Sequence, residues 1–185
     1  MSDKVLSQFK PDEEVAEKVV TRVFKVAIIG TGWIAEAYVK PIKDLPNVEL
    51  VALADLIPGK AEKFAKKNGL DADKLRFYPS HKELIDNEKP DFILSTVPTF
   101  LHKEIAVYAL SHGVHVFSEK PMALSVEDCE EMIKAAKDND RKLMIGQCLR
   151  FDPAFSKLKE YGVNAIRGPR FMPKVLSNYI NKKEG

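Results

Sequence analysis

The chain has 185 residues, with 29 basic against 27 acidic side chains and a formal net charge of +2. Apolar residues make up 45% and charged residues 30%. This is a globular composition that excludes wholesale disorder and needs neither disulfides nor a structural metal. The small net charge gives no sign of a nucleic-acid partner. No apolar run approaches the roughly 20 residues of a membrane span. The acidic, interrupted N-terminus lacks the apolar stretch of a signal peptide. With Cys129 and Cys148 as the only cysteines, a cytoplasmic protein with reduced thiols is expected.

Residues 1–22 read as an extension. Pro11-Asp12-Glu13-Glu14 suits a helix start, and Val15, Val19 and Val20 could pack one face of a short helix. A loosely docked arm fits the same residues. From Phe24 the pattern changes. Val26–Ile29 is a continuous apolar run, as in a strand covered on both faces. Four more runs follow, at 48–54, 91–96, 114–118 and 142–146, with a weaker one at 76–78.

Helical segments fall between them. Residues 33–43 follow the first strand. Residues 58–67 carry Ala61, Phe64 and Ala65 on one face and stop at Gly69. The lysines Lys60, Lys63, Lys66 and Lys67 are most simply a solvated face. Residues 102–111 carry Ile105 and Ala109 and end at Gly113. Residues 125–138 open with Ser125 and Asp128 at capping spacing, and the period buries Val126, Cys129, Met132, Ile133 and Ala136. Such alternation predicts a parallel sheet with right-handed crossovers. Beyond Gly146, Asp152-Pro153 starts a helix ending near Gly162, and 170–177 could add a strand that Pro173 confines to an edge.

Directly after the first strand stands Gly30-Thr31-Gly32-Trp33-Ile34-Ala35, the G-x-G-x-x-A form of the dinucleotide fingerprint. Gly30 permits the tight turn, Gly32 lets the backbone approach a pyrophosphate, and Ala35 lets helix and strand pack closely. The phosphates would meet the unpaired N–H groups and positive dipole end of the next helix. Asp55 stands 25 residues after Gly30, near the expected spacing of about 20. Its carboxylate would accept the adenosine ribose hydroxyls and repel a 2′-phosphate, which favours NAD over NADP. Lys60 is the nearby cation that could reverse that preference. The bland alternative is a plain tight turn, with Asp55 capping the next helix.

Three further segments stand at later strand ends: Ser95-Thr96-Val97-Pro98-Thr99-Phe100-Leu101-His102, Ser118-Glu119-Lys120-Pro121, and Gln147-Cys148-Leu149-Arg150-Phe151-Asp152-Pro153. Together with the fingerprint and Asp55, this ordered set resembles the glucose–fructose oxidoreductase / inositol dehydrogenase / MocA family over residues 23–177. The resemblance implies an α/β, doubly wound Rossmann domain over 23–148, with only the beginning of a second α+β domain in 149–185. It implies NAD(P)-dependent hydride transfer with a sugar, polyol or related substrate, and a homo-oligomer is expected.

In that reading Glu119 and Lys120 lie beside the nicotinamide ribose, and Lys120 contacts the substrate hydroxyl and helps move its proton. Thr96 and Pro98 lie along the adenosine side. Arg150 lies near the cofactor, and His102 shares in its binding. Thr99 stands where the family often has Asn. The family's Asp and His acid/base pair has no counterpart, since no His follows His115. The chain is therefore expected to bind NAD(H) but to turn over poorly or not at all.

An ammonium beside a cationic nicotinamide ring gives up its proton more readily, which suits a proton acceptor. The bland reading of Lys120 is a surface lysine paired with Glu119. Trp33 reads as a packing or loop residue beside the pyrophosphate. His81, His112 and His115 lack metal-ligand spacing, and Cys148 reads as a small lining residue. Phe151 and Phe155 read as domain-junction core. With Phe171 and Met172 they would leave an apolar patch that drives self-association. Two other readings remain open: a non-catalytic nucleotide-binding or interaction module, and a methyltransferase-like Rossmann enzyme using S-adenosylmethionine.

Overall fold

The computed structural model describes residues 22–153 and 155, in two units divided after Gly146. The expected helix around Val15, the strand at 170–177, Phe171, Met172 and the end of the helix near Gly162 lie outside the described residues.

In the first unit the chain alternates strand and helix. The strands are β1 (Phe24–Ile29), β2 (Val48–Ala54), β3 (Arg76–Tyr78), β4 (Phe92–Ser95), β5 (His115–Ser118) and β6 (Leu143–Ile145). The helices are α1 (Trp33–Asp44), α2 (Lys60–Lys67), α3 (His81–Glu88), α4 (His102–Ser111) and α5 (Val126–Asp138). All strand pairs are parallel, in the order β3-β2-β1-β4-β5-β6. This is the doubly wound Rossmann order, whose direction of winding reverses between β1 and β4.

The apolar runs are continuous because both faces of the sheet are covered. Alternate residues of a strand serve opposite layers. Ala27 and Ile29 of β1, with Ile93 of β4, pack with Leu84 and Ile85 of α3, Ile105 and Leu110 of α4, and Met132 of α5. Ile28, Leu53 and Leu94 point the other way, against Ala35 and Val39 of α1 and Ala61, Phe64 and Ala65 of α2. Ala35 is fully buried, as close helix–strand packing requires.

Two findings depart from the sequence pattern. The pattern places no element at 79–90, yet α3 lies there. It offers only Leu84 and Ile85 as apolar residues, both buried, so its period is too weak to read. Its start is nonetheless written in Ser80 and Glu83: the Ser80 hydroxyl accepts the Glu83 main-chain N–H at 3.2 Å and donates to the Glu83 carboxylate. In α5, Ser125 accepts the Asp128 N–H at 3.1 Å, as its spacing implies. The buried face, however, is centred on Met132 and Ala135, and Val126 and Ile133 are exposed.

In the second unit, Cys148–Arg150 forms a 3-10 turn. The Asp152 carboxylate accepts the Phe155 N–H, which supports the expected helix start. Phe151 is exposed, as the expected apolar patch requires of it.

Leu84→Ala is expected to lower the unfolding free energy by about 2–5 kcal/mol, and Ser80→Ala by about 1 kcal/mol. Urea denaturation followed by circular dichroism measures both. A neutral Leu84→Ala would mean that α3 is not docked on the sheet.

Candidate functional site

Because the strand pairs are parallel, the carboxyl ends of β1, β2, β4 and β5 lie along one edge of the sheet, the edge where open α/β sheets bind ligands, and most of the singled-out residues stand there. Gly30 leaves β1 with φ +89°, in the left-handed region that glycine tolerates. A Cβ on it would lie 2.7 Å from the Val97 side chain and 3.0 Å from the Thr96 carbonyl. The protein itself therefore demands glycine here. Thr96, buried at the end of β4, donates its main-chain N–H to the Ile29 carbonyl at 2.9 Å and its hydroxyl to the Gly30 carbonyl.

Gly32 is different. Its φ of −82° suits any residue, and a Cβ on it would meet nothing within 4 Å among the described residues. No internal contact explains a glycine at that position. It caps the start of α1 without a side-chain hydrogen bond; the Ala35 N–H bonds the Gly32 carbonyl at 3.1 Å, and a helix start leaves its leading N–H groups without an intrahelical partner. A cradle of this shape fits an anionic phosphate group. Ile34 is half-buried on the first turn, and Trp33 is 82% exposed. The packing reading of Trp33 is thus overturned.

Asp55 follows β2 and ties it to the turn. Its Oδ2 accepts the Thr31 main-chain N–H at 2.9 Å and the Thr31 hydroxyl at 2.7 Å. Its Oδ1 accepts the Ile57 N–H at 3.0 Å. The Lys60 ammonium lies 2.8 Å from Oδ2, so Lys60 is not part of the solvated lysine face. Burial by itself would push the Asp55 carboxyl up. Hydrogen bonds from Lys60, then Thr31 and Ile57, outweigh it and hold the group below its ordinary value. The cap of α2 is Gly59, so Asp55 does not cap that helix.

Past β5, Glu119 is buried. It accepts the Tyr38 hydroxyl on one oxygen and the Lys120 main-chain N–H, at 3.1 Å, on the other. Lys120 is exposed, and among the described residues its ammonium has no ion-pair partner. The bland pairing with Glu119 is thus a main-chain contact. His102 opens α4 and is 1% exposed. Its Nδ1 lies 2.8 Å from the Pro121 carbonyl and its Nε2 3.0 Å from the Val97 carbonyl. It bridges the loop carrying exposed Pro98 to the loop carrying Lys120, and its ring nitrogens are already engaged. Arg150 sits exposed in the second unit. Tyr38 was not among the sequence candidates. Its place on α1 carries no local motif, and only the fold brings it to Glu119.

Among the described residues no cluster of His, Cys, Asp and Glu could hold a metal, and no helix is long and apolar enough to cross a membrane. Cys129 and Cys148 are unpaired.

A family model described as an oxidoreductase family with an NAD-binding Rossmann fold (GFO_IDH_MocA) matches residues 24–147. The scyllo-inositol 2-dehydrogenase (NADP(+)) IolU of Bacillus subtilis is 33% identical over 75% of this chain and 41% of its own length. The structure of myo-inositol 2-dehydrogenase from Lactobacillus plantarum is similar at a TM-score of 0.68 and 29% identity, covering 80% of this chain and 43% of that one. The WlbA dehydrogenase of Bordetella pertussis, solved with NADH and UDP-GlcNAcA, gives a TM-score of 0.70 at 25% identity, over 78% and 41% of the two chains. The chain spans about two fifths of the length of these relatives.

Gly30→Ala is expected to destabilise the fold by about 1–3 kcal/mol through backbone strain, whereas Gly32→Ala leaves the melting temperature unchanged. Calorimetric melts of both variants test the distinction, which equal losses would remove. Asp55 stabilises the fold above its ordinary pKa of 3.8, and that contribution is lost as pH falls through its lowered folded value. Urea midpoints should therefore fall more steeply on acidification in the native chain than in Asp55→Asn.

Proposed function

The chain belongs to the GFO_IDH_MocA oxidoreductase family and is its NAD-binding Rossmann domain, and from that premise we propose which residues hold the dinucleotide and what the parent enzyme does. The pyrophosphate lies over Gly30, Thr31 and Gly32 at the start of α1, beside Trp33 and Ile34. The adenosine ribose rests on Asp55, and Thr96 and Pro98 flank the adenosine side. The nicotinamide end reaches toward Glu119 and Lys120. His102 serves by holding the two loops together. The single observation that carries this reading is the open space over Gly32, a glycine that no internal contact requires, at an uncapped helix start.

Bound NAD(H) supplies hydride transfer at its nicotinamide ring. The protein's own residues bind and orient it. Lys120 projects from the carboxyl end of β5, where ligands of open α/β sheets bind. In this proposal its side-chain nitrogen contacts the substrate hydroxyl, taking up that proton as the amine and returning it as the ammonium. The substrate is a sugar, polyol or related alcohol/carbonyl pair. IolU and the L. plantarum enzyme are named for inositols, and the chain covers about 41–43% of each. Hydride transfer requires a substrate held about 3–3.5 Å from the ring. We assign that hold to a second domain beginning after residue 148. Self-association and a cytoplasmic location belong to the same proposal.

Calorimetric titration with NADH tests the site. The native chain is expected to bind, Gly32→Val to lose binding through steric overlap with the pyrophosphate, and Asp55→Ala to weaken it by roughly tenfold. No binding by the native chain, or equal binding by Gly32→Val, would overturn the assignment.

A further inference from the structure

We propose that the chain's own acidic N-terminal segment, Asp12–Val20, docks in a groove between α5 and β6 at the open edge of the sheet. β6 ends the strand order, so it pairs with β5 on one side only. Beside it lies a groove of about 530 Å³, lined by Ile133 and Ala136 of α5 and by Leu143 and Ile145 of β6. Ile133 is 42% exposed. Val126, two turns nearer the start of α5, is 68% exposed. The helix itself packs through Met132 and Ala135, so this second apolar side is left for another occupant.

Charge says which occupant fits. Lys137, Arg141 and Lys142 also line the groove, with Asp140 among them. Lys137 and Lys142 have no ion pair among the described residues. An occupant must therefore bring apolar side chains and negative charge together. Two copies meeting groove to groove would set these cations against each other. Residues 156–185 carry seven basic and two acidic side chains, which is the wrong sign. Residues 11–20 carry four acids, Asp12, Glu13, Glu14 and Glu17, against the single base Lys18. Their Val15 and Val19 stand four apart, the spacing that shares one side of a helix.

The connection is long enough. Arg22 precedes β1, and its guanidinium pairs with Asp91, just ahead of β4. That contact ties the entry of the chain to the β6 side of β1. From β1, the sheet reaches β6 in three steps through β4 and β5, roughly 14 Å at the usual strand spacing. Because every pair is parallel, Arg141 and Lys142 before β6 stand at the same end of the sheet as Arg22 before β1. Residues 11–21 span roughly 16 Å even as one continuous helix. With Thr21 tied to β1, the acids at 12–14 reach the basic connection between α5 and β6, and the valines follow along the groove.

The test is disulfide trapping in the full chain carrying Cys129→Ser and Cys148→Ser. Val19→Cys is paired with Ile133→Cys, or with Lys66→Cys on α2 as the control, and peptide mapping and light scattering follow the products. The Val19–Ile133 pair is expected to oxidise at least about tenfold faster than the control, within a single chain. Glu13→Lys with Glu14→Lys should slow it about threefold, and adding Lys137→Glu with Lys142→Glu should restore the rate. Equal rates for the two pairs, or a cross-link found only between two chains, would overturn the proposal. Hydrogen exchange tests it again without any cysteine change. Amides at 133–146 should exchange at least about fivefold faster in Val15→Asp with Val19→Asp than in the native chain. Exchange that is the same in both, or native protection that is lost on dilution, would overturn the proposal and in the second case point to another copy as the occupant.

Discussion

The crevice depends on how one turn is held. The segment leaving β1 is pinned from both neighbouring strands. On one side Thr96 bonds the Ile29 and Gly30 carbonyls. On the other, Asp55 takes two hydrogen bonds from Thr31, and the Gly30 N–H reaches the Ala54 carbonyl at 2.8 Å. The direction of winding reverses across this junction, so α1 packs on one face of the sheet and α4 on the other. Such a reversal is where open α/β sheets bind their ligands, and it sets the start of α1 beside the strand ends. Each glycine of the fingerprint answers a different demand. Gly30 answers the protein's own backbone, and Gly32 answers whatever occupies the crevice.

A second layer of contacts ties the distal half of the crevice to the same frame. Tyr38 sits on α1, one turn past the fingerprint, and its hydroxyl bonds the buried Glu119 carboxylate. Glu119 in turn fixes the Lys120 peptide. His102 joins the Val97 and Pro121 carbonyls from the opposite helix layer. The exposed Lys120 ammonium is thus carried on a backbone held from both faces of the sheet, while its own side chain stays free of ion pairs among the described residues. That combination, a fixed base and a free tip, suits a group that must meet a ligand in one geometry.

Much of this was legible in order along the chain. The continuous apolar runs announced strands covered on both faces, and the fingerprint, Asp55 and the Glu-Lys-Pro segment each stood at a strand end. Legibility failed where the signal was not local. α3 carries two apolar residues in eight and shows itself only through the Ser80–Glu83 cap. The exposed Val126 and Ile133 fit the period of α5 but stand on the side that no element of the first unit covers. Trp33 is large and apolar, yet it is exposed because the N-terminal end of α1 faces the crevice rather than the core.

The sequence by itself determined the alternating parallel sheet, the tight turn at Gly30 and the family, because each rests on short local motifs or on a repeating period. Only the tertiary structure decided that Lys60 leaves the lysine stripe for Asp55, that Tyr38 reaches Glu119 and that the His102 ring sits between the Val97 and Pro121 carbonyls. Those are contacts between side chains and distant segments, and their geometry exists only once the strand order has brought the carboxyl ends together.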